Sequence, residues 1–298
     1  VSSPGGSEVV SPGTLGGMTK IAIIGGGNIG EALASGLVAD TSGAAAEVSA
    51  SDVTVVDPYA PRLDYLRETY GLATTDDATE AATEADIVVI AVKPYLVSTV
   101  LEQIASTIDA NDTETVIVSV AAGVTLATME AALAAGVPVV RVMPNTPMLV
   151  GKGTSAVAGG RFARDEQVET VRGLMEAVGT AVTVGEKDMD AVTAVSGSGP
   201  AYVFLVAEAM IEAGVQLGLT RPVAAQLAAG TLEGASAMLV KGDKSAAELR
   251  GNVTSPGGTT AAAVRGLEEN GIRKAFYQAM EACAERSAEL GRPSSDED

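Results

Sequence analysis

Lys20-Ile21-Ala22-Ile23-Ile24-Gly25-Gly26-Gly27-Asn28-Ile29-Gly30 is the stretch on which the fold turns. Residues 20–24 are a short apolar run and read as a buried strand. A G-x-G-x-x-G pattern follows at once, and a helical pattern then continues through Val38. Strand, glycine loop and helix in immediate succession is the context that gives this motif its meaning. The glycines allow the backbone to approach a pyrophosphate, which then rests on the helix N-terminus. Gly25, Gly26, Gly27, Asn28, Ile29 and Gly30 are therefore candidate dinucleotide contacts.

Downstream, residues 40–51 read as a small, polar insertion, and a second strand over 52–56 ends at Asp57. An acid at that tip bonds ribose hydroxyls and repels a 2′-phosphate, which leans toward NAD. Arg62 is near enough to swing toward such a phosphate, so NADPH or NADH both stay open; Asp57-Pro58 also reads as a plain turn initiator. A helix over 61–70, a polar link, and strands over 87–91, 115–120 and 138–142 follow, with helices at 95–108 and 125–135 between the strands. This alternation predicts an α/β fold with a parallel, doubly wound sheet of Rossmann type. Ligands bind such sheets beyond the carboxyl ends of the strands. Lys93, Gly123 and Asn145 stand at three of those ends. One more strand (154–158), a helix (165–178) and a last strand (181–184) complete the β-containing part.

Beyond Glu186 the β pattern stops, and helices are predicted over 188–195, 199–217, 221–240, 245–249, 261–270 and 272–290. The expected domains are thus 18–186, dinucleotide-binding, and 187–298, helical, with residues 291–298 frayed. Ser196-Gly197-Ser198-Gly199-Pro200 should interrupt a helix, because two glycines and a proline disfavour one straight rod. The Ala- and Gly-rich helices from Pro200 to Leu239 are apolar around much of their circumference. A domain of this size has little interior in which to hide them, so they predict a homodimer through the helical domain.

Composition excludes several classes. The 298 residues contain no histidine, which removes Ser-His-Asp and Cys-His hydrolases and histidine-based metal sites; no metal is expected. A net charge of −19 argues against nucleic acid. It also resembles a salt-adapted surface. The single cysteine, Cys283, argues for a reducing compartment, hence a cytoplasmic protein, and reads as a small core residue. No uninterrupted apolar run reaches the roughly 18–20 residues of a bilayer span, so no membrane is expected. Residues 1–17 lack a basic start and an apolar core and do not read as a signal peptide. They read as a disordered tail, or as residues upstream of a start at Met18.

The second informative stretch is residues 251–260, Gly-Asn-Val-Thr-Ser-Pro-Gly-Gly-Thr-Thr. A Gly-rich turn feeding a helix start presents free N–H groups and a positive dipole end, which suits a carboxylate. Pro256 would be tolerated at a first helical position. Together with Ala-Val-Lys-Pro (91–94), Arg-Val-Met-Pro-Asn-Thr-Pro (141–147) and Asp-Ala-Val-Thr-Ala-Val-Ser-Gly-Ser-Gly-Pro-Ala-Tyr (190–202), it resembles the Δ1-pyrroline-5-carboxylate reductase family from about Met18 to Leu290.

The resemblance implies hydride transfer from NADPH or NADH to the C=N carbon of pyrroline-5-carboxylate, giving L-proline. It implies an interlocked homodimer that can assemble into a decamer. Residue by residue, it implies that Ser255, Gly258 and Thr259 hold the substrate carboxylate and that Thr260 directs its hydroxyl at the ring nitrogen. Asn252, Ala91, Val92, Lys93, Pro94, Ala121, Ala122 and Gly123 match cofactor-lining positions. The sequence departs from the family pattern in Gly30, where alanine is usual, and in residues 74–78, which lack the asparagine many members carry. Other readings are a β-hydroxyacid-type dehydrogenase, another imine reductase, or a non-catalytic dinucleotide sensor. The first needs a lysine on the central helix, and none occurs between Lys187 and Lys241.

Overall fold

The computed structural model describes residues 19–39 and 48–292. The expectations for residues 1–17, for most of the 40–51 insertion and for most of the 291–298 tail lie outside these residues. Two compact units divide the chain: residues up to Gly197 together with those from Ala284 on, and Ser198–Cys283.

The first unit is built on an eight-stranded sheet. Its elements are β1 (Ile21–Ile24), α1 (Asn28–Ala39), β2 (Val53–Val56), α2 (Ala60–Tyr70), β3 (Ala73–Thr75), α3 (Ala78–Ala82), β4 (Ile87–Ile90), α4 (Val97–Ala110), β5 (Val116–Ser119), α5 (Leu126–Ala131), β6 (Val139–Met143), β7 (Gly153–Gly159), α6 (Asp165–Glu176), β8 (Gly179–Thr183) and α7 (Met189–Val192). The strand order is β3-β2-β1-β4-β5-β6-β7-β8. β1, β4, β5 and β6 are buried at every position. That burial explains their continuous apolar runs, since helices cover both faces. Two apolar clusters result, one on each side of the sheet, around Leu33, Leu37 and Leu174 and around Leu101, Ile104 and Met129.

Two features correct the expected sheet. β7 runs antiparallel to β6, so the sheet is mixed rather than wholly parallel. The link Pro144–Lys152 explains this: it holds one 3₁₀ turn (Thr146–Val150), too little for a crossover helix. The supposed polar link after α2 also contains a strand, β3, which pairs in parallel with β2 at the edge. The expected helix break is present: a π turn, Thr193–Gly197, ends against Met143, and after Ser198 a new helix starts at Gly199 with Pro200 in its first turn.

The second unit contains α8 (Gly199–Gln216), α9 (Arg221–Val240), α10 (Ala246–Asn252), α11 (Thr259–Glu269) and most of α12 (Ile272–Leu290). α8 and α9 meet closely where Gly214 faces Ala224, since a Cβ at 214 would lie 3.1 Å from the Ala224 side chain. Tyr202 and Phe276 pack edge to face at 6.3 Å between α8 and α12. Cys283 is partly buried, and its Sγ lies 3.2 Å from the Ser198 hydroxyl.

No residue of α8 is buried within the single chain, and α9 buries only Ala224 and Ala228. Phe204, Leu205, Leu217, Leu227 and Val240 are all more than half exposed. By length and composition alone, 186–216 and Arg221–Val240 are apolar enough to cross a bilayer, although no uninterrupted apolar run suggested it. The apolar circumference read from the sequence is real, and this chain alone does not bury it.

Candidate functional site: a dinucleotide rim and an anion-holding turn

The rim of the first unit is assembled by strand order. From β1 the chain moves to β2 and β3 on one side, then returns to β4, β5 and β6 on the other. The crevice where the direction reverses lies beyond the ends of β1 and β4, which is where open α/β sheets bind ligands. Gly25 sits there with φ +114° and donates its N–H to the Val56 carbonyl at 2.8 Å. A Cβ on Gly25 would stand 2.6 Å from the Ala91 carbonyl, and one on Gly30 would stand 1.9 Å from the Gly25 carbonyl. These two positions need glycine because backbone meets backbone. Gly27 is different, because nothing lies within 4 Å of where its Cβ would be. Glu31 N–H makes the first helical bond to Gly27, so the N–H groups of Asn28, Ile29 and Gly30 remain free at the start of α1. An open backbone, free donors and a helix dipole together fit a pyrophosphate.

Asp57 follows β2 directly. Its Oδ2 accepts the Gly26 N–H at 3.0 Å and its Oδ1 accepts the Tyr59 N–H at 2.9 Å. It is thus both the turn initiator and the brace of the glycine loop. Arg62 is not free to swing: its Nε donates to the Gly26 carbonyl and its Nη2 to Glu31. Ala91, Val92, Lys93 and Pro94 follow β4, with Lys93 and Pro94 exposed. Ala121, Ala122 and Gly123 follow β5, where Gly123 takes φ +78°. The structure brings all of these to one edge. Asn145, after β6, is occupied structurally: its Nδ2 donates to the Ser196 carbonyl at 3.0 Å and its Oδ1 accepts the Thr154 N–H at 2.8 Å.

The second unit carries the turn. Ser255-Pro256-Gly257-Gly258 is closed by the Gly258 N–H donating to the Ser255 carbonyl at 3.0 Å. Proline followed by Gly257 at φ +68° is the pattern of a type II turn. Pro256 therefore serves the turn and not, as expected, the first helical position. α11 begins at Thr259 with Gly258 as its cap, so the N–H groups of Thr259 and Thr260 have no helical partner. A Cβ on Gly258 would lie 2.3 Å from the Ser255 hydroxyl, which leans over the cap. Among the described residues, the Ser255, Thr259 and Thr260 hydroxyls have no hydrogen-bond partner. Asn252 is the exposed last residue of α10, three positions beyond where the sequence pattern ended that helix. No cluster of three potential metal-ligating side chains occurs among the described residues.

A Rossmann-like unit with an open glycine loop, followed along the chain by a helical unit whose glycine turn leaves helix N–H donors free, is the architecture of a nicotinamide-dependent oxidoreductase. Comparison with known proteins narrows this. Residues 186–290 match the family described as pyrroline-5-carboxylate reductase dimerisation, and residues 20–123 match NADP oxidoreductase, coenzyme F420-dependent. The chain is 52% identical over 275 residues to a pyrroline-5-carboxylate reductase of Corynebacterium melassecola, covering 92% of this chain and 100% of that one. Among solved structures, it resembles a pyrroline-5-carboxylate reductase from Coxiella burnetii with TM-score 0.86 and 35% identity, covering 93% and 100% of the two chains. It also resembles the Plasmodium falciparum pyrroline carboxylate reductase with NADP bound, with TM-score 0.79 and 31% identity, covering 94% and 100%. The chain belongs to the pyrroline-5-carboxylate reductase family.

Proposed function

We propose that this chain reduces the C=N bond of 1-pyrroline-5-carboxylate to give L-proline, using NADH or NADPH. The observation that carries the reading is the start of α11. Free backbone donors at Thr259 and Thr260, a capping Gly258 and the Ser255 hydroxyl meet at one helix N-terminus within the second unit.

When bound, NADH or NADPH would supply the hydride. The chain's own work is binding and orientation. The Ser255 hydroxyl and the Thr259 backbone N–H hold the substrate carboxylate, while Gly258, whose own N–H is spent on the Ser255 carbonyl, takes part as the cap that the carboxylate approaches. Thr260 accepts a hydrogen bond from the protonated ring nitrogen, fixes the ring and stabilises the amine that forms. A protonated imine is already electrophilic, so no side chain of tuned pKa is required, and the lack of histidine is no obstacle. Within the first unit, Gly25 to Gly30, Asp57, Ala91 to Pro94 and Ala121 to Gly123 line the dinucleotide.

The exposed apolar faces of α8 and α9 pair with those of a second copy, consistent with the dimerisation family that matches them. Assembly of such dimers into a decamer is the next level, which sedimentation distinguishes from a dimer. The single cysteine fits a reducing, cytoplasmic setting.

Loss of absorbance by NADH and NADPH, with and without pyrroline-5-carboxylate, tests the function. Oxidation that depends on the imine supports the reductase. Cofactor binding without oxidation would instead favour the sensor reading.

A further inference from the structure

Glu31 has no part in the reading above. It stands in the first turn of α1, directly after the glycine loop, and its carboxylate gathers three donors. These are a guanidinium N–H of Arg62, the Tyr65 hydroxyl at 3.0 Å and the Tyr70 hydroxyl at 2.8 Å. The Arg62 and Glu31 side chains are only 23% and 19% exposed. Arg62 is held from two further directions: Nε donates to the Gly26 carbonyl, and the guanidinium carbon lies 5.2 Å from the Tyr65 ring centroid. The one cation that the sequence offered to a 2′-phosphate is therefore already neutralised and fixed.

Asp57, on the other side of Gly26, adds to this. Each of its carboxylate oxygens accepts one backbone N–H and keeps a further lone pair. It can still accept a bond from a hydroxyl, and it opposes a phosphate dianion.

We propose that Glu31 is a selectivity residue for the reductant: by sequestering Arg62 it denies a 2′-phosphate that counter-ion, and with Asp57 it makes NADH the preferred of the two reductants. The inference rests on the dinucleotide-binding half of the proposed function and not on the identity of the imine.

The test is calorimetric binding of ADP-ribose and of 2′-phospho-ADP-ribose to the full chain, which needs no turnover. ADP-ribose is expected to bind at least tenfold more tightly. Glu31→Gln keeps groups that can bond the tyrosines but removes the charge holding Arg62. It should narrow the gap by about tenfold, the equivalent of one partly desolvated charge contact. The ratio of kcat/KM for NADH and NADPH should move in parallel. Arg62→Ala alone should leave the binding ratio in place, and in the Glu31→Gln background it should restore the gap.

Equal or tighter binding of the phosphorylated ligand to the unaltered chain would overturn the proposal. So would an unchanged ratio in Glu31→Gln, or selective loss of the phosphorylated ligand in Arg62→Ala, which would show that Arg62 already reaches it. Two of these outcomes do not depend on the folding of Glu31→Gln. If neither ligand binds, the dinucleotide site itself is wrong; if both bind as expected and the imine is not reduced, only the substrate assignment fails.

Discussion

Thr260 and Gly258 occupy neighbouring places at the start of α11, and the turn gives them separable roles. Thr260→Ala removes one hydroxyl and leaves the backbone donors intact. NAD(P)H binding should persist while turnover falls by about 10- to 100-fold, the range for one lost hydrogen bond to a charged group. Unchanged turnover would remove Thr260 from the mechanism. Gly258→Ala puts a methyl 2.3 Å from the Ser255 hydroxyl, a small group that can rotate away. Thermal stability should change little while KM for the imine rises, because Ser255 is displaced from the carboxylate. A large fall in melting temperature with unaltered KM would count against that role for Ser255. Much of this was legible in sequence, since both glycine-rich stretches abut helix starts and their spacing predicts free N–H groups. The Glu31 cluster was harder to read. Its signal is Arg62, Tyr65 and Tyr70 on one side of α2, but only the fold shows that α2 turns that side toward Glu31. Asn145 shows the opposite limit: a polar residue at the rim reads as functional, yet both ends of its amide are engaged by backbone.

Among the elements, apolar runs located seven of the eight strands, and the eighth, β3, escaped because Ala-Thr-Thr at a sheet edge has no apolar run to detect. Strand direction is not encoded in an apolar run at all. For β7 it could have been inferred only from the short link before it. The junction after β8 is held by a buried charge. Arg141 on β6 has a side chain 4% exposed, and its guanidinium donates to Glu186 Oε1 at 2.8 Å, which also accepts the Leu126 N–H at 3.1 Å. Glu186→Ala would strand that arginine. With Glu186 itself about one-third exposed, the cost should be about 2 kcal/mol, below the full value for a buried pair but well above that of an exposed pair such as Arg265–Glu269. Urea unfolding of the two variants, Glu186→Ala and Glu269→Ala, checks the contrast. The α1–α2 contact should titrate. Burial alone would raise the Glu31 carboxyl, but hydrogen bonds from Arg62, Tyr70 and Tyr65 outweigh it and hold the pKa below the ordinary 4.5. A depressed carboxylate contributes stability above its unfolded pKa and loses it as pH falls through the folded one. The stability difference between the unaltered chain and Glu31→Gln should therefore be constant near neutrality and shrink below about pH 4.5. A difference independent of pH down to 3 would mean that the carboxylate charge contributes nothing.

At the level of the whole molecule, two opposed features act together: a net charge of −19 and helices whose apolar faces are exposed in the single chain. Burying α8 and α9 against a second copy brings two such charges together, so self-repulsion opposes the hydrophobic gain. The Debye length falls from about 10 Å at 0.1 M salt to about 3 Å at 1 M, so added salt should relieve the repulsion in both folding and association. Melting temperature and the dimer fraction should both rise between low and molar KCl. Salt can also strengthen apolar burial directly, and the two causes separate by salt identity. Up to about 0.2 M, dilute guanidinium chloride screens charge as KCl does but weakens apolar burial. A comparable early rise in both salts assigns the effect to the charge, whereas a rise in KCl alone assigns it to the apolar interface. Phe204→Glu provides the complementary control, because it adds charge to a face where that residue is 66% exposed. It should shift sedimentation toward monomer and steepen the dependence on KCl. A variant that sediments as the unaltered chain at every salt concentration would place Phe204 outside the interface.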